Sequence, residues 1–338
     1  MRFEKLITAV DSHTEGMPTR VVTSGIGPVP GRTMFEKKRY VEQNLDHLRR
    51  LLMFEPRGHG SMSGSILLPP TDPEADLGVV FIEVSGCLPM CGHGTIGTCT
   101  VALETGLVKA VEPVTRLVLD TPAGRVTAEA TVENGRVKKV KIQNVPSFLY
   151  KRDVTVDVPG LGPLTLDIAY GGNFYGILPA ASVGLSLERK LAGRLVEAGM
   201  RIMEAVGEQV EIRHPENPGI NEIKHTILTG PATVPGAQAK AAVVIYPGTL
   251  DRSPCGTGTS ARMAQLFGRG ELALNQEFIH ESFIGTTFTG KLVQASRAGS
   301  VAAVVPTIEG RAWITGLQQF VLDPTDPFPA GFLIDQPE

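Results

Sequence analysis

The chain has 338 residues, 42% hydrophobic and 20% charged, with a formal net charge of −3. That length suits two domains of about 150 residues each; the charge gives no basic footprint for nucleic acid, and no run of about 18 apolar residues is available as a membrane span. Charge within Met1-Arg2-Phe3-Glu4-Lys5 argues against a secretory signal, and four cysteines are too few for a disulfide framework, so a soluble cytoplasmic protein of a reducing compartment is expected.

In chain order, Leu6–Val10 reads as a strand and 11–16 as a loop. Residues 35–53 read as one helix, with Leu45, Leu48, Leu51 and Leu52 at helical spacing. Val79–Val84 is a buried-strand candidate that feeds a loop ending at Cys91. Alternating segments at 126–132 and 137–142 flank Asn134-Gly135 and predict a hairpin. A second half is expected from residue 151, with strands near 154–158 and 164–169, a long helix over about 186–207, and a strand at Ala241–Tyr246 before a loop ending at Cys255. Division at 1–150 and 151–322 follows, with the proline- and aspartate-rich tail 323–338 packing on the first half.

The two loops carry one pattern. Cys91-Gly92-His93-Gly94-Thr95 and Cys255-Gly256-Thr257-Gly258-Thr259 each precede ten residues and a glycine, Gly106 and Gly270. Together with the order strand, cysteine loop, helix, antiparallel strands, this indicates an internal duplication. Each cysteine is placed to start a helix, where the positive dipole end favours thiolate. Two such thiols facing each other supply a base for one side of a carbon and an acid for the other. First-turn backbone N–H groups can hold a substrate carboxylate and stabilise the charge that moves into it as the proton leaves. Asp251 and His93 are the polar groups best placed for a substrate amine. No cofactor is expected.

Other readings compete. Cys87, Cys91, His93 and Cys99 invite a zinc or redox reading, but their spacing is not C-x2-C and no second cluster completes it. Cys87 and Cys99 read as packing residues, His13 as a loop histidine bonded to backbone, and His47 and His280 as surface or structural. A non-catalytic binding protein is a further alternative.

The motifs at 11–16 (Asp-Ser-His-Thr-Glu-Gly), 55–59 (Glu-Pro-Arg-Gly-His), 90–97, 145–148 (Val-Pro-Ser-Phe) and 251–261 resemble signatures of the proline racemase family over nearly the whole chain. The resemblance implies a cofactor-independent two-thiol enzyme acting on a small imino acid. It implies the diaminopimelate-epimerase-like fold: two similar α/β domains, each with strands wrapped around a central helix and the active site in the interdomain cleft. It assigns Cys91 and Cys255 as the acid–base pair, Gly92, His93, Gly256 and Thr257 as substrate-binding, and Asp251 to the ring nitrogen. A homodimer is one assembly such a chain can form.

That family includes proline racemases, 4-hydroxyproline 2-epimerases and trans-3-hydroxyproline dehydratases. The dehydratases carry threonine in place of the second cysteine, so Cys255 argues against dehydration. Ser63 and Tyr246 stand where proline racemases commonly have phenylalanine, and His225 resembles the substrate-binding histidine of hydroxyproline epimerases. Polar groups at these positions favour a hydroxylated substrate, since a site built to bond a hydroxyl rejects the analogue lacking it. The expectation is epimerisation of trans-4-hydroxy-L-proline to cis-4-hydroxy-D-proline, with proline racemisation as the alternative.

Overall fold

The computed structural model describes residues 3–334. In chain order, the first part runs β1 (Lys5–Thr14), β2 (Met17–Ser24), α1 (Met34–Asn44), α2 (Asp46–Met53), β3 (Ser63–Leu68), β4 (Leu77–Glu83), β5 (Gly86–Leu88), α3 (Gly92–Glu104), β6 (Val114–Thr121), β7 (Gly124–Glu133) and β8 (Arg136–Gln143). The second part runs β9 (Phe148–Val158), β10 (Gly162–Tyr170), β11 (Phe174–Pro179), α4 (Ala192–Gln209), β12 (Ile223–Gly230), β13 (Ala239–Ile245), β14 (Thr249–Leu250), α5 (Gly256–Gly268), β15 (Glu277–Glu281), β16 (Thr287–Ala298) and β17 (Val301–Gly310). The last strand is β18 (Ala312–Leu322).

The chain forms two compact units, 1–142 with 310–338, and 143–309. Their internal pairings repeat step for step. In the first unit β1–β2 is antiparallel, β2–β3 parallel, β3–β4 and β4–β5 antiparallel, β4–β6 parallel and β6–β7 antiparallel. In the second unit β10–β11 is antiparallel, β11–β12 parallel, β12–β13 and β13–β14 antiparallel, β13–β15 parallel and β15–β16 antiparallel. This is a duplicated α/β architecture, as the repeated cysteine pattern predicts.

The repeat also explains where the division at 150 and 322 departs from the structure. In the second unit β9 precedes and pairs antiparallel with β10. In the first unit the matching partner of β1 is β18, paired from Lys5–Leu322 to Thr14–Ala312. The strand that completes the first unit therefore comes from the far end of the chain, which a division by sequence order assigns to the second half. In the tail, the Arg57 guanidinium pairs with Asp326, and Glu55 bridges Phe332; the last four residues lie outside the described range.

Local signals mostly hold. Asn134 (φ 53°) and Gly135 (φ 71°) turn β7 into β8 with Glu133 opposite Arg136, the left-handed pair that a two-residue hairpin needs. Residues 35–53 make two helices, because the chain leaves helical geometry at Leu45 (φ −125°, ψ 13°). The loop expected at 11–16 is shorter: β1 continues to Thr14 and only Glu15 and Gly16 turn, with φ 47° and 98°. The long helix begins at Ala192, after two short 3-10 turns.

The ten-residue spacing in each motif is a helix length. α3 and α5 each span 13 residues. Gly106 and Gly270 follow their C-caps at φ 75° and 76°, and their N–H groups bond back to Leu103 and Phe267 carbonyls, the left-handed stop that glycine provides. A Cβ at either position would meet no atom within 4 Å, so the cost of a side chain there is conformational alone. Gly270→Ala is expected to lower unfolding stability by about 1 kcal/mol, read as a lower urea midpoint at unchanged slope; an unchanged midpoint would remove the stop from Gly270.

Candidate active site

Both cysteines are the N-cap residues of the buried helices, Cys91 before α3 and Cys255 before α5. They are 4% and 5% exposed, so each thiol is formed by its own shell. The second glycine of each motif leaves close room for the sulfur. A Cβ on Gly94 would lie 3.0 Å from Cys91 Sγ, and one on Gly258 3.0 Å from Cys255 Sγ.

Around Cys91 the shell is acidic and imidazole-bearing. Sγ lies 3.4 Å from His93 Nδ1 and 3.9 Å from Glu83 Oε1. His93 Nε2 is 3.0 Å from Ser63 Oγ, which donates to Glu83 Oε1 at 3.4 Å. The Thr14 hydroxyl donates to the His93 carbonyl at 2.9 Å and ties the first turn of α3 to β1. Of the sequence-predicted residues, the structure brings together Cys91, Gly92, His93 and Ser63. Glu83 is the residue sequence reasoning missed. Its signal was a single carboxylate ending an otherwise apolar buried strand that runs into the cysteine loop.

Around Cys255 the shell is hydroxylic. Its backbone is left-handed, φ 63° and ψ 109°, a conformation that costs a non-glycine residue about 1–3 kcal/mol and occurs at functional sites. That turn points Sγ back to accept from the Gly258 N–H at 3.3 Å. The Tyr175 hydroxyl lies 3.4 Å from Sγ and 2.5 Å from Thr257 Oγ1. Asp251 accepts from both the N–H and hydroxyl of Ser253 at 2.8 Å, and Ser253 Oγ accepts from the Cys255 N–H at 3.1 Å. Asp251 thus reaches Cys255 through Ser253. The His225 ring tilts against Tyr175 with centroids 4.8 Å apart. Tyr175 was missed, although its segment Gly171–Gly176 stands out by its glycines.

Tyr246 is not brought to this shell. It is 38% exposed, with Lys224 Nζ 6.0 Å from its ring centre, and it lines a groove with Met200 and Met203 of α4. Side chains alternate along a strand, so a shift of one residue changes the face. Ile245, the last residue of β13, is the one that packs in the core cluster of Cys255 and Tyr175. His13 lies at the end of β1, accepts from the Gly16 N–H at 3.2 Å and stacks on Trp313. Cys87 and Cys99 are buried, and burial pushes both up to about 12; neither thiol joins the Cys91 shell.

The profile of the proline racemase family matches residues 9–333. A 4-hydroxyproline 2-epimerase from Streptosporangium roseum is 57% identical over 99% of this chain and 100% of its own length. The chain belongs to the proline racemase family. A proline racemase from Clostridioides difficile is 46% identical over 99% of this chain and all of its own. The crystal structure of a hydroxyproline epimerase from Agrobacterium vitis, with trans-4-hydroxy-L-proline bound, superposes with a TM-score of 0.92 at 33% identity, covering 99% of this chain and 97% of that one. These relatives are isomerases, and this proline racemase family member is an enzyme of that class.

The expectation that a helix N-terminus favours thiolate meets a stronger effect at Cys255. Burial pushes its thiol well above the ordinary value and the Asp251 carboxylate adds to this; hydrogen bonds from Tyr175, Gly258 and Thr257 act against it. A raised pKa means the protonated form persists to higher pH. In a Cys91→Ser background, iodoacetamide labelling of Cys255 should therefore rise only above the pH range of an exposed thiol, and Tyr175→Phe should move the profile higher still. A labelling profile like that of free cysteine, followed by mass spectrometry, would contradict the assigned effect of burial.

Proposed function

We propose that this protein inverts the α-carbon of a proline-type imino acid with Cys91 and Cys255 as a pair of thiols. The observation that carries this reading is the repeated helix start, with one cysteine capping each buried helix and a glycine beneath each sulfur. The reaction needs a base on one face of the carbon and an acid on the other. Cys255, held protonated by burial, enters as the acid in one direction. Cys91, with His93 Nδ1 within 3.4 Å, enters as the base. First-turn N–H groups have no carbonyl one turn back; Gly258 N–H is taken up by Cys255 Sγ, and the remaining ones receive the carboxylate charge as the proton leaves. Asp251, held by Ser253, receives the ring nitrogen. In the reverse direction the two thiols exchange roles.

Cys91→Ser and Cys255→Ser are each expected to cut epimerisation by on the order of 10²–10⁴-fold, because serine is a far poorer base near neutral pH. Polarimetry follows inversion, and solvent deuterium entry at the α-carbon follows one-sided exchange. Wild-type inversion by either variant would end the two-thiol reading.

The preferred substrate in this reading is trans-4-hydroxy-L-proline, converted to cis-4-hydroxy-D-proline. His225 supports it. Its Nδ1 is buried with no hydrogen-bond partner among the described residues, and burial first, then the Lys224 charge, push it down to about 3. It is a neutral imidazole at working pH, and an unpartnered buried polar atom is costly unless something arrives to bond it. In the shell of the other thiol, Ser63 adds a hydroxyl beside His93 and Glu83. The Streptosporangium relative bears the epimerase name and the Agrobacterium vitis structure holds this ligand. Proline racemisation is the second reading, favoured by the Clostridioides relative and by the aliphatic Ile245.

One bond to a neutral hydroxyl contributes about 0.5–1.5 kcal/mol, so the wild type should favour hydroxyproline over L-proline in kcat/KM by roughly 2- to 13-fold for each bond formed. His225→Leu and Ser63→Phe should each move the ratio toward proline. A wild type that prefers L-proline would transfer the assignment to proline racemisation.

A further inference from the structure

The two units repeat closely enough to show where a buried histidine replaces a leucine. In the first unit Leu77 of β4 pairs with Leu119 of β6, and Gly78 with Asp120; in the second Ala239 of β13 pairs with His280 of β15, and Lys240 with Glu281. The carboxylates support the match. Asp120 accepts from the Thr71 N–H and hydroxyl and from the Asp72 N–H. Glu281 accepts from the Thr233 N–H and hydroxyl and from the Val234 N–H. One residue earlier, Leu119 and His280 are both 0% exposed. An apolar side chain fills that position in one unit, so packing alone does not call for an imidazole in the other.

His280 bonds to the helix that Cys255 caps. Its Nδ1 lies 2.8 Å from Thr259 Oγ1, and the Thr259 hydroxyl donates to the Pro254 carbonyl at 3.0 Å. A hydroxyl has one proton, and a carbonyl only accepts. The hydroxyl proton is committed to Pro254, so Nδ1 carries the proton of the other bond and Nε2 is the bare nitrogen. Nε2 has no hydrogen-bond partner among the described residues. Burial first, then the Arg262 charge, push the ring down to about 3 against the pull of Glu281, so it is neutral and keeps a single N–H. A buried nitrogen without a partner is destabilising, a cost that leucine would not carry.

The carbonyl that Thr259 holds is the one that differs between the two caps. Cys91 and Cys255 have nearly the same ψ, 114° and 109°, but φ is −141° at the first and 63° at the second. Rotation about φ turns the preceding peptide, so the left-handed value at Cys255 sets the Pro254 carbonyl relative to Cβ and Sγ. Such a backbone persists only where its surroundings hold it. Thr95, at the same place in the first motif, donates its hydroxyl to the Cys91 carbonyl instead. On its other side the Pro254–Cys255 peptide is held by Ser253, whose Oγ accepts from the Cys255 N–H at 3.1 Å. We propose that His280 is a positioning residue for Cys255: by donating from Nδ1 to Thr259 it directs that hydroxyl's proton to the Pro254 carbonyl and holds the turn that aims the sulfur. The hydrogen-bond route stands on this geometry; its effect on turnover rests on the two-thiol reading.

Proton–nitrogen NMR correlation spectra of the full-length protein with labelled histidine, His280 being assigned by its loss in His280→Asn, should show the Nδ1–H tautomer. An Nε2–H tautomer would overturn the hydrogen-bond route without reference to turnover. Leucine cannot donate, whereas asparagine can present its amide N–H near the place of Nδ1. His280→Leu should lower inversion by about 10- to 100-fold, the scale of loss that about 1 Å of misplacement brings. From the epimer whose α-proton faces Cys91, solvent deuterium exchange without inversion should fall less, so the ratio of exchange to inversion rises; a variant that is merely less folded lowers both together. His280→Asn should return the ratio toward wild type. Thr259→Val should be at least as severe as His280→Leu, with no further loss in the double variant, because both act through one carbonyl. An unchanged ratio in His280→Leu, or losses that multiply in the double variant, would overturn the positioning role. Wild-type inversion by Cys255→Ser would instead end the two-thiol reading and with it the effect of His280 on turnover, and the tautomer would then decide the bond alone.

Discussion

A helix buried on every side is the constraint from which much of each unit follows. Residues 92–103 of α3 are all buried, and α5 is buried through most of its length. Such a helix can show no polar face to water, yet both carry hydroxyls. The conflict is resolved in two ways. Thr95, Thr100, Ser260 and Thr259 bond back to the carbonyls of Cys91, Ile96, Gly256 and Pro254, while Thr98 and Thr257 bond across to Ser65 and Tyr175. All of these side chains stay small enough for strands to close around the helix. The helix start is then where backbone N–H groups without a carbonyl one turn back gather, and the sequence puts a cysteine there twice.

Burial that makes the helix possible also opposes the chemistry expected of its cap. A dipole at a helix end stabilises an anion by about 0.3–1 kcal/mol when exposed, and up to about 2 kcal/mol when partly buried. Full desolvation of a thiolate works the other way and is larger. At Cys255 desolvation leads, and a nearby aspartate deepens it. A thiol kept protonated is still useful to a reaction that needs an acid as well as a base.

Much of this was legible in sequence because it is local. The repeated Cys-Gly-x-Gly-Thr, the ten-residue interval and the closing glycine encode a cap, a helix length and a stop. The Asn134-Gly135 hairpin is equally local. What escaped is what depends on pairing across distance. β18 belongs with β1 because the first unit needs the strand that β9 supplies in the second, and no signal within 312–322 announces this. Tyr246 and Ile245 differ by one residue, and strand phase alone decides which faces Cys255. Glu83 and Tyr175 join their thiols from other strands, β4 and β11, so spacing along the chain could not place them.

The two units answer the same backbone problem with different chemistry around the sulfur. One shell sets a carboxylate, an imidazole and a serine around Cys91; the other sets a tyrosine, a threonine and a serine-linked aspartate around Cys255. Their backbones differ too, extended at Cys91 and left-handed at Cys255. Only the second sulfur accepts a capping hydrogen bond from its own helix. The difference comes from strands and not from the motif. The cap, the helix length and the closing glycine are the same in both units, whereas Glu83 and Ser63 reach Cys91 from β4 and β3 and Tyr175 reaches Cys255 from β11. A duplicated backbone thus fixes where each sulfur sits, and the strands that close around it are free to set different chemistry beside each.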